Sequence, residues 1–429
     1  MGMISRRGVL AGGLGGALSL AMPAVLRAQG KQRIRYAGFV QSDGELKTLL
    51  ASLNAYMAKH PEVEIVAEMT NFGSFIDKLA TETSGGNAPD MFSCNVDITD
   101  EYSRRGVLRP LTAYVPQPMD LTDYAQGAVK AATVNGQLFA FPNDAIGPAL
   151  VCRSDAFKKA GITMSNQMWT WEQLAKAATD ITKANGPRYW GLEDSGSNYI
   201  PCELFMRGRG KTLFTPDRQI GFTRDDMAEW FAYWDRLRKS GGCPPADIQA
   251  SVNGSDITTF LVSLGRAGMT AALTDKFAGM QALVSNSDLF LQMLPNGFDG
   301  GPMKQTHFVY AGNSTGLTAK SPHADRMVDI VRFTQKDPEG SRLRYMGSGM
   351  IPCSRATREL VGAQGTDVDR KIIAYVEVLQ KEQAAPRSPG VVGMSNMLRR
   401  MNEAVAFGRL KAQDASAQFI EEAEKRLKS

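Results

Sequence analysis

Past residue 30 the chain alternates short runs rich in β-branched and aromatic residues with longer stretches whose apolar positions recur every three or four residues. Residues 32–40 predict a strand. Leu46, Leu49, Leu50, Leu53 and Met57 then fall at helical spacing behind Asp43, a helix-capping residue type, and His60-Pro61 ends that helix. Residues 63–68 predict a second strand, 75–84 a second helix and 91–94 a third strand, and a helix carrying Tyr102 stops at Gly106. This alternation predicts a mostly parallel sheet covered on both faces, with ligands held at the carboxyl ends of the strands.

Residues 137–141 and 149–153 predict two more strands, and Pro142-Asn143-Asp144-Ala145-Ile146-Gly147-Pro148 between them reads as a crossing between domains. Thr170-Trp171-Glu172-Gln173 is a capping box that opens a helix to about residue 184. A helix over 226–239 carries Trp230 and Trp234 four apart, a core-packing arrangement, and ends at Gly241-Gly242. Strands are expected again at 289–294 and 308–311, and the tail from 324 onward reads as almost wholly helical.

At 429 residues, two domains are the natural expectation, and 43% hydrophobic against 22% charged residues describes a folded chain. The formal net charge of +5 is concentrated at the start: Arg6, Arg7 and Arg27 stand in the first 28 residues without an acid. The remainder carries 46 basic against 44 acidic residues, too even a balance to draw it to nucleic acid or anionic lipid. Ser5-Arg6-Arg7-Gly8-Val9-Leu10, a glycine-diluted apolar run and Ala28 describe a twin-arginine export signal over residues 1–28, cleaved after Ala28. A retained membrane anchor is the alternative, disfavoured by the glycines and Pro23. Export places the mature chain in the periplasm.

Catalytic and metal chemistry finds little support. His60, His307 and His323 lack the spacing of a helix-borne metal site, and Gly347-Ser348-Gly349 fails the nucleophile-elbow pattern. Gly208-Arg209-Gly210-Lys211-Thr212 lacks the first glycine of a phosphate loop. Cys94, Cys152, Cys202, Cys243 and Cys353 show no Cys-x-x-Cys and read as buried thiols. No cofactor and no enzymatic activity are expected.

Several patterns in order resemble the extracellular solute-binding proteins of family 1, the carbohydrate receptors of ABC importers. They are Gly85-Gly86-Asn87-Ala88-Pro89-Asp90-Met91, Gly106-Val107-Leu108-Arg109-Pro110-Leu111-Thr112, and Asn135-Gly136-Gln137-Leu138-Phe139-Ala140-Phe141-Pro142. Lys159-Ala160-Gly161 with Thr170-Trp171-Glu172-Gln173-Leu174, then Gly265-Arg266-Ala267-Gly268-Met269, continue the series. The resemblance implies an α/β fold of two lobes, the type II periplasmic binding protein fold, with a ligand trapped as the lobes close. Its lobes would be 31–143 plus 296–318 and 148–294 plus 320–429, with hinges near 143–148, 294–297 and 316–320. It also implies a monomer that delivers its ligand to the permease subunits of an ABC importer.

The family's contact positions carry over to Gln41, Ser42 and Asp43 after the first strand, with a plain N-cap the alternative for Asp43. Asn95 and Asp97 follow the third strand, and Cys94 stands where maltose-binding members stack a tryptophan, which argues against a maltodextrin. Asn143 and Asp144 lie at the crossing, as ligand contacts or turn caps. Asn198 and Tyr199, then Asp275 and Lys276, are the second-lobe candidates, the latter pair standing where the family commonly has a tryptophan. Gly312, Asn313 and Ser314 on the return strand and Arg387 near the last crossing complete the set. A sugar, oligosaccharide or polyol is the expected ligand. A phosphorylated polyol, another anion or a polyamine is the alternative on the same fold, and an exported glycosidase is a third reading.

Overall fold

The strand at the start forms as its alternation predicts: β1 (Gln32–Phe39) buries Ile34, Tyr36 and the residues that follow. The computed structural model describes residues 31–164, 168–215, 217, 219–254, 256–381 and 392–428, so the expected export segment 1–28 and Arg387 lie outside the described residues. Helix α1 (Asp43–Lys59) starts one residue earlier than the Asp43 cap implies. Ser42 is the N-cap, its hydroxyl accepting from the Glu45 amide at 3.2 Å, and Asp43 is the first helical residue, where its charge suits the helix dipole. There follow β2 (Val63–Thr70), α2 (Phe72–Ser84), β3 (Met91–Cys94), α3 (Val96–Arg104), α4 (Gln126–Ala131), a hairpin of β4 (Thr133–Val134) and β5 (Gln137–Leu138), and β6 (Ala140–Pro142).

After the crossing come β7 (Pro148–Arg153), α5 (Ser154–Lys159), α6 (Trp171–Asn185), β8 (Trp190–Leu192), α7 (Tyr199–Gly208), α8 (Arg224–Lys239) and α9 (Ala246–Gln249). The capping box forms on α6 between Thr170 and Gln173. Then β9 (Ala267–Leu273), α10 (Phe277–Leu283), β10 (Leu289–Gln292) and β11 (Ser314–Leu317) precede the helices α11 (Ala324–Lys336), α12 (Pro338–Tyr345), α13 (Arg355–Gln364), α14 (Asp367–Lys381), α15 (Val392–Ala406) and α16 (Ala412–Lys428).

Two sheets result. The first has the order β2-β1-β3-β11-β6, with β1 parallel to β2 and β3 and β11 antiparallel to its neighbours. The second runs β10-β7-β9-β8, with β8 and β9 parallel and β7 antiparallel to both its neighbours. Buried apolar side chains form two clusters. One runs from the first sheet to the α10 and α14 face of the second; the other fills the opposite face of the second sheet, where Trp171, Phe205, Trp230, Tyr233 and Trp234 meet edge to face. All five cysteines are buried, free thiols.

The division between lobes differs from the expected one in two places. Residues 320–364 were expected in the second lobe, yet α11 and α12 pack on α1. Ser52 donates to the Gly340 carbonyl, Tyr56 to Asp329, and Phe333 lies against the Tyr56 ring. Residues 296–308, expected in the first lobe, sit on the second: Phe298 meets Phe205 edge on, and Asp299 accepts from Thr170. The predicted strand at 308–311 is a single bridge, Tyr310 to Ile146, because the segment crosses between sheets and has an extended partner only there.

The crossing is a bundle of extended segments. Asn143 and Ala145 bond to Asn313 and Ile351, and Asp144 pairs with Pro352. Elsewhere β8 runs so close to α6 that a Cβ at Gly191 would fall inside the envelope of the Ala178 carbonyl oxygen. Gly191→Ala is therefore expected to cost about 1–3 kcal/mol, read from chemical denaturation, because backbone must move to admit it.

Candidate functional site

The loops after β8 and at the end of β9 open into a cavity of about 680 Å³, at the carboxyl ends of these two parallel strands. Its wall comprises residues 193–195 behind β8, the start of α7, the loop around Gln249 and Asn253, Thr270 to Leu273 of β9, and one face of α15. That face exists because Ser395, Asn396, Arg399, Asn402 and Glu403 recur at helical spacing, opposite Met394, Met397, Leu398 and Met401 in the core.

The wall is fixed by polar contacts behind it. Asp194 accepts from the Gly196 amide at 2.7 Å, its own amide donates to Gln249, and its carboxylate pairs with the buried guanidinium of Arg238. Trp230 donates its indole N–H to the Gly196 carbonyl at 3.0 Å. Asn402 donates to Ser197 at 3.1 Å and packs so tightly on Gly196 that a Cβ there would displace the Asn402 carboxamide. Asn198 caps α7 through the Ile200 amide. Glu193 accepts from the Val262 amide at 2.8 Å, and burial pushes its carboxyl up to about 7.

Three charged side chains remain on the wall. Arg399 and Glu403 pair at 3.3 Å, leaving Lys276, half-buried, with no hydrogen bond or ion pair among the described residues. Phe407 presents a large exposed aromatic surface (47%) at the cavity, with the Arg409 guanidinium 5.3 Å from its ring centre. Hydroxyls, carboxamides and one open aromatic ring are the groups that hydrogen-bond hydroxyls and cover the C–H face of a sugar.

Of the residues singled out from sequence, Asn198, Tyr199 and Lys276 line this cavity. Asp275, one residue before Lys276, does not; its charge acts instead on Glu45 and Asp144. Those two sit with Arg344 in a buried charged group between the lobes, where Glu45 lies 3.6 Å from Arg344 and accepts from the Gln41 amide at 2.7 Å. Burial, the largest cause, together with the neighbouring carboxylates pushes the Asp144 carboxyl up to about 8.

The remaining candidates occupy caps and crossings. Ser42 and Asn95 cap α1 and α3, Asp43 is exposed, and Asp97 lies in the first turn of α3. Asn143 accepts from Thr315 at 3.0 Å and Gln335 at 2.6 Å, while Asp144 accepts from the Asn313 amide at 2.8 Å. Ser314 pairs within the first sheet, and Gly312 presses on Ile146. The α15 face and Phe407 went unread in the sequence, although the polar stripe was visible at helical spacing.

Known proteins share this architecture. The sn-glycerol-3-phosphate-binding periplasmic protein of Escherichia coli (strain K12) is 21% identical over 367 residues, covering 81% of this chain and 80% of its own. A periplasmic oligogalacturonide binding protein from Yersinia enterocolitica, solved with saturated digalacturonic acid, superposes with a TM-score of 0.81 at 16% identity over 93% of this chain and 99% of its own. A periplasmic solute binding protein from Pectobacterium atrosepticum gives 0.82 at 17% identity over 92% and 99%. At these identities the structural likeness establishes the fold, the two-lobe type II binding-protein architecture. The family model for bacterial extracellular solute-binding proteins matches residues 42–325, a span that holds every strand but β1 and most of the cavity wall, and the chain belongs to that family.

Proposed function

We propose that the protein is a receptor that captures a sugar, oligosaccharide or polyol in this cavity and hands it to the permease subunits of an ABC importer. The observation that carries the reading is the cavity wall itself: carboxamides, hydroxyls and an exposed phenyl ring at the strand ends, in a chain of this family. Its relatives' names point the same way, toward a glycerol phosphate and an oligogalacturonide. Gln41, Asp43, Asn95 and Asp97 stand on the first lobe at the loops after β1 and β3, and closure would bring that lobe's loops toward the ligand. On this reading the chain acts as a monomer and captures its ligand without turnover. Residues 1–28 direct the chain to the periplasm as a twin-arginine signal removed after Ala28.

The experiment is a thermal-shift screen of the purified chain against neutral and acidic mono- and disaccharides and polyols. A true ligand raises the melting temperature with concentration as mass action dictates. No shift across the whole set contradicts the reading. Phe407→Ala should weaken the ligand so found by about 2–10-fold, the worth of one ring contact, in calorimetric titration.

A further inference from the structure

We infer that the ligand carries one anionic group, a carboxylate or a phosphate, and that Lys276 receives it. The inference rests on the receptor reading above and narrows its ligand class. The charge balance of the wall motivates it. Asp194 is neutralised by Arg238, and Arg399 by Glu403. Glu193 is buried and accepts from the Val262 amide with a carboxylate oxygen.

Lys276 is the remaining charge. It lines the cavity half-buried, makes no hydrogen bond or ion pair among the described residues, and the carboxylate beside it in sequence, Asp275, does not line the cavity. An ammonium without a partner has its donors free for a bound anion. The start of α7 adds to the same field. Tyr199, Ile200 and Pro201, its first three residues, line the cavity, so the positive end of a ten-residue helix faces the same space. A neutral saccharide satisfies the carboxamides and Phe407 but leaves Lys276 unanswered.

The test uses matched pairs in calorimetric titration of the whole chain: digalacturonate against galactobiose, and sn-glycerol 3-phosphate against glycerol. The two pairs separate a carboxylate from a phosphate. In at least one pair the acid should bind about tenfold or more tightly than its neutral partner, the scale of one charge-assisted hydrogen bond. Lys276→Met, checked for an unchanged circular dichroism spectrum and melting temperature, should bring acid and neutral partner to equal affinity, and Lys276→Arg should restore part of the preference. Equal or tighter binding of the neutral partners, or an acid preference that survives Lys276→Met, overturns the assignment while leaving a carbohydrate receptor standing. Failure of all four compounds to bind overturns the assignment, and silence across the thermal-shift set overturns the receptor reading as well.

Discussion

Replacing Arg238 by methionine is expected to cost about 3–5 kcal/mol of stability, the largest loss from any single substitution at the site. The side chains of Arg238 and Asp194 are 6% and 1% exposed, so removing the guanidinium strands a carboxylate in the interior. That carboxylate also accepts from the Gly196 amide, and the same loop continues through Ser197 to the Asn198 cap of α7. The loss should therefore appear twice, in denaturant unfolding and as weakened ligand binding. Two nitrogens of Arg238 find no partner among the described residues, so the pair is held by charge more than by a full set of hydrogen bonds. The double variant Arg238→Met, Asp194→Asn should recover much of the loss, because it removes the stranded charge. A cost below about 1 kcal/mol for Arg238→Met would contradict this account of the wall.

The second large effect is on the pH dependence of stability, through Asp144. Its folded carboxyl is pushed up to about 8 from an ordinary 3.8, chiefly by burial and further by the nearby charges of Asp275 and Glu45 against the single Arg344. The folded state then holds a proton that the unfolded chain releases above about pH 4. Stability from this group is full below that pH, falls as pH rises, and is lost beyond about 8. Asp144→Asn keeps an oxygen to accept from the Asn313 amide and carries no titrating charge. Relative to wild type, the variant should gain stability progressively from pH 5 to pH 9, by up to about 5 kcal/mol. Denaturant unfolding at five pH values reads this directly. Parallel curves for the two proteins would show that Asp144 is ionised in the folded state.

Local signals in the sequence survived into the structure where one segment determines the outcome alone. The alternation of strands and helices and the Thr170–Gln173 box need only neighbours along the chain. Which sheet an amphipathic helix covers is a different matter. The periodicity of α11 shows that Met327, Ile330 and Val331 face a core, but the partner, α1, lies some 270 residues earlier. The same holds for 296–308, whose aromatic Phe298 finds Phe205.

The site divides likewise. Asn198, Tyr199 and Lys276 stand in the segments that follow β8 and β9 and fall on the cavity. Asn143 and Asp144 also stand beside a strand end, yet the packed crossing absorbs their side chains into Thr315, Gln335 and Asn313. Phe407 was hidden in a tail where one aromatic residue after a helix carries no distinguishing spacing.

The central claim is that this chain traps its ligand by bringing two lobes together and releases it unchanged. Small-angle scattering, with and without the saccharide or polyol that gives the largest thermal shift, tests it most directly. Saturation should reduce the radius of gyration, and the compound should be recovered intact. An unchanged radius at full occupancy, or conversion of the compound to products, would contradict it.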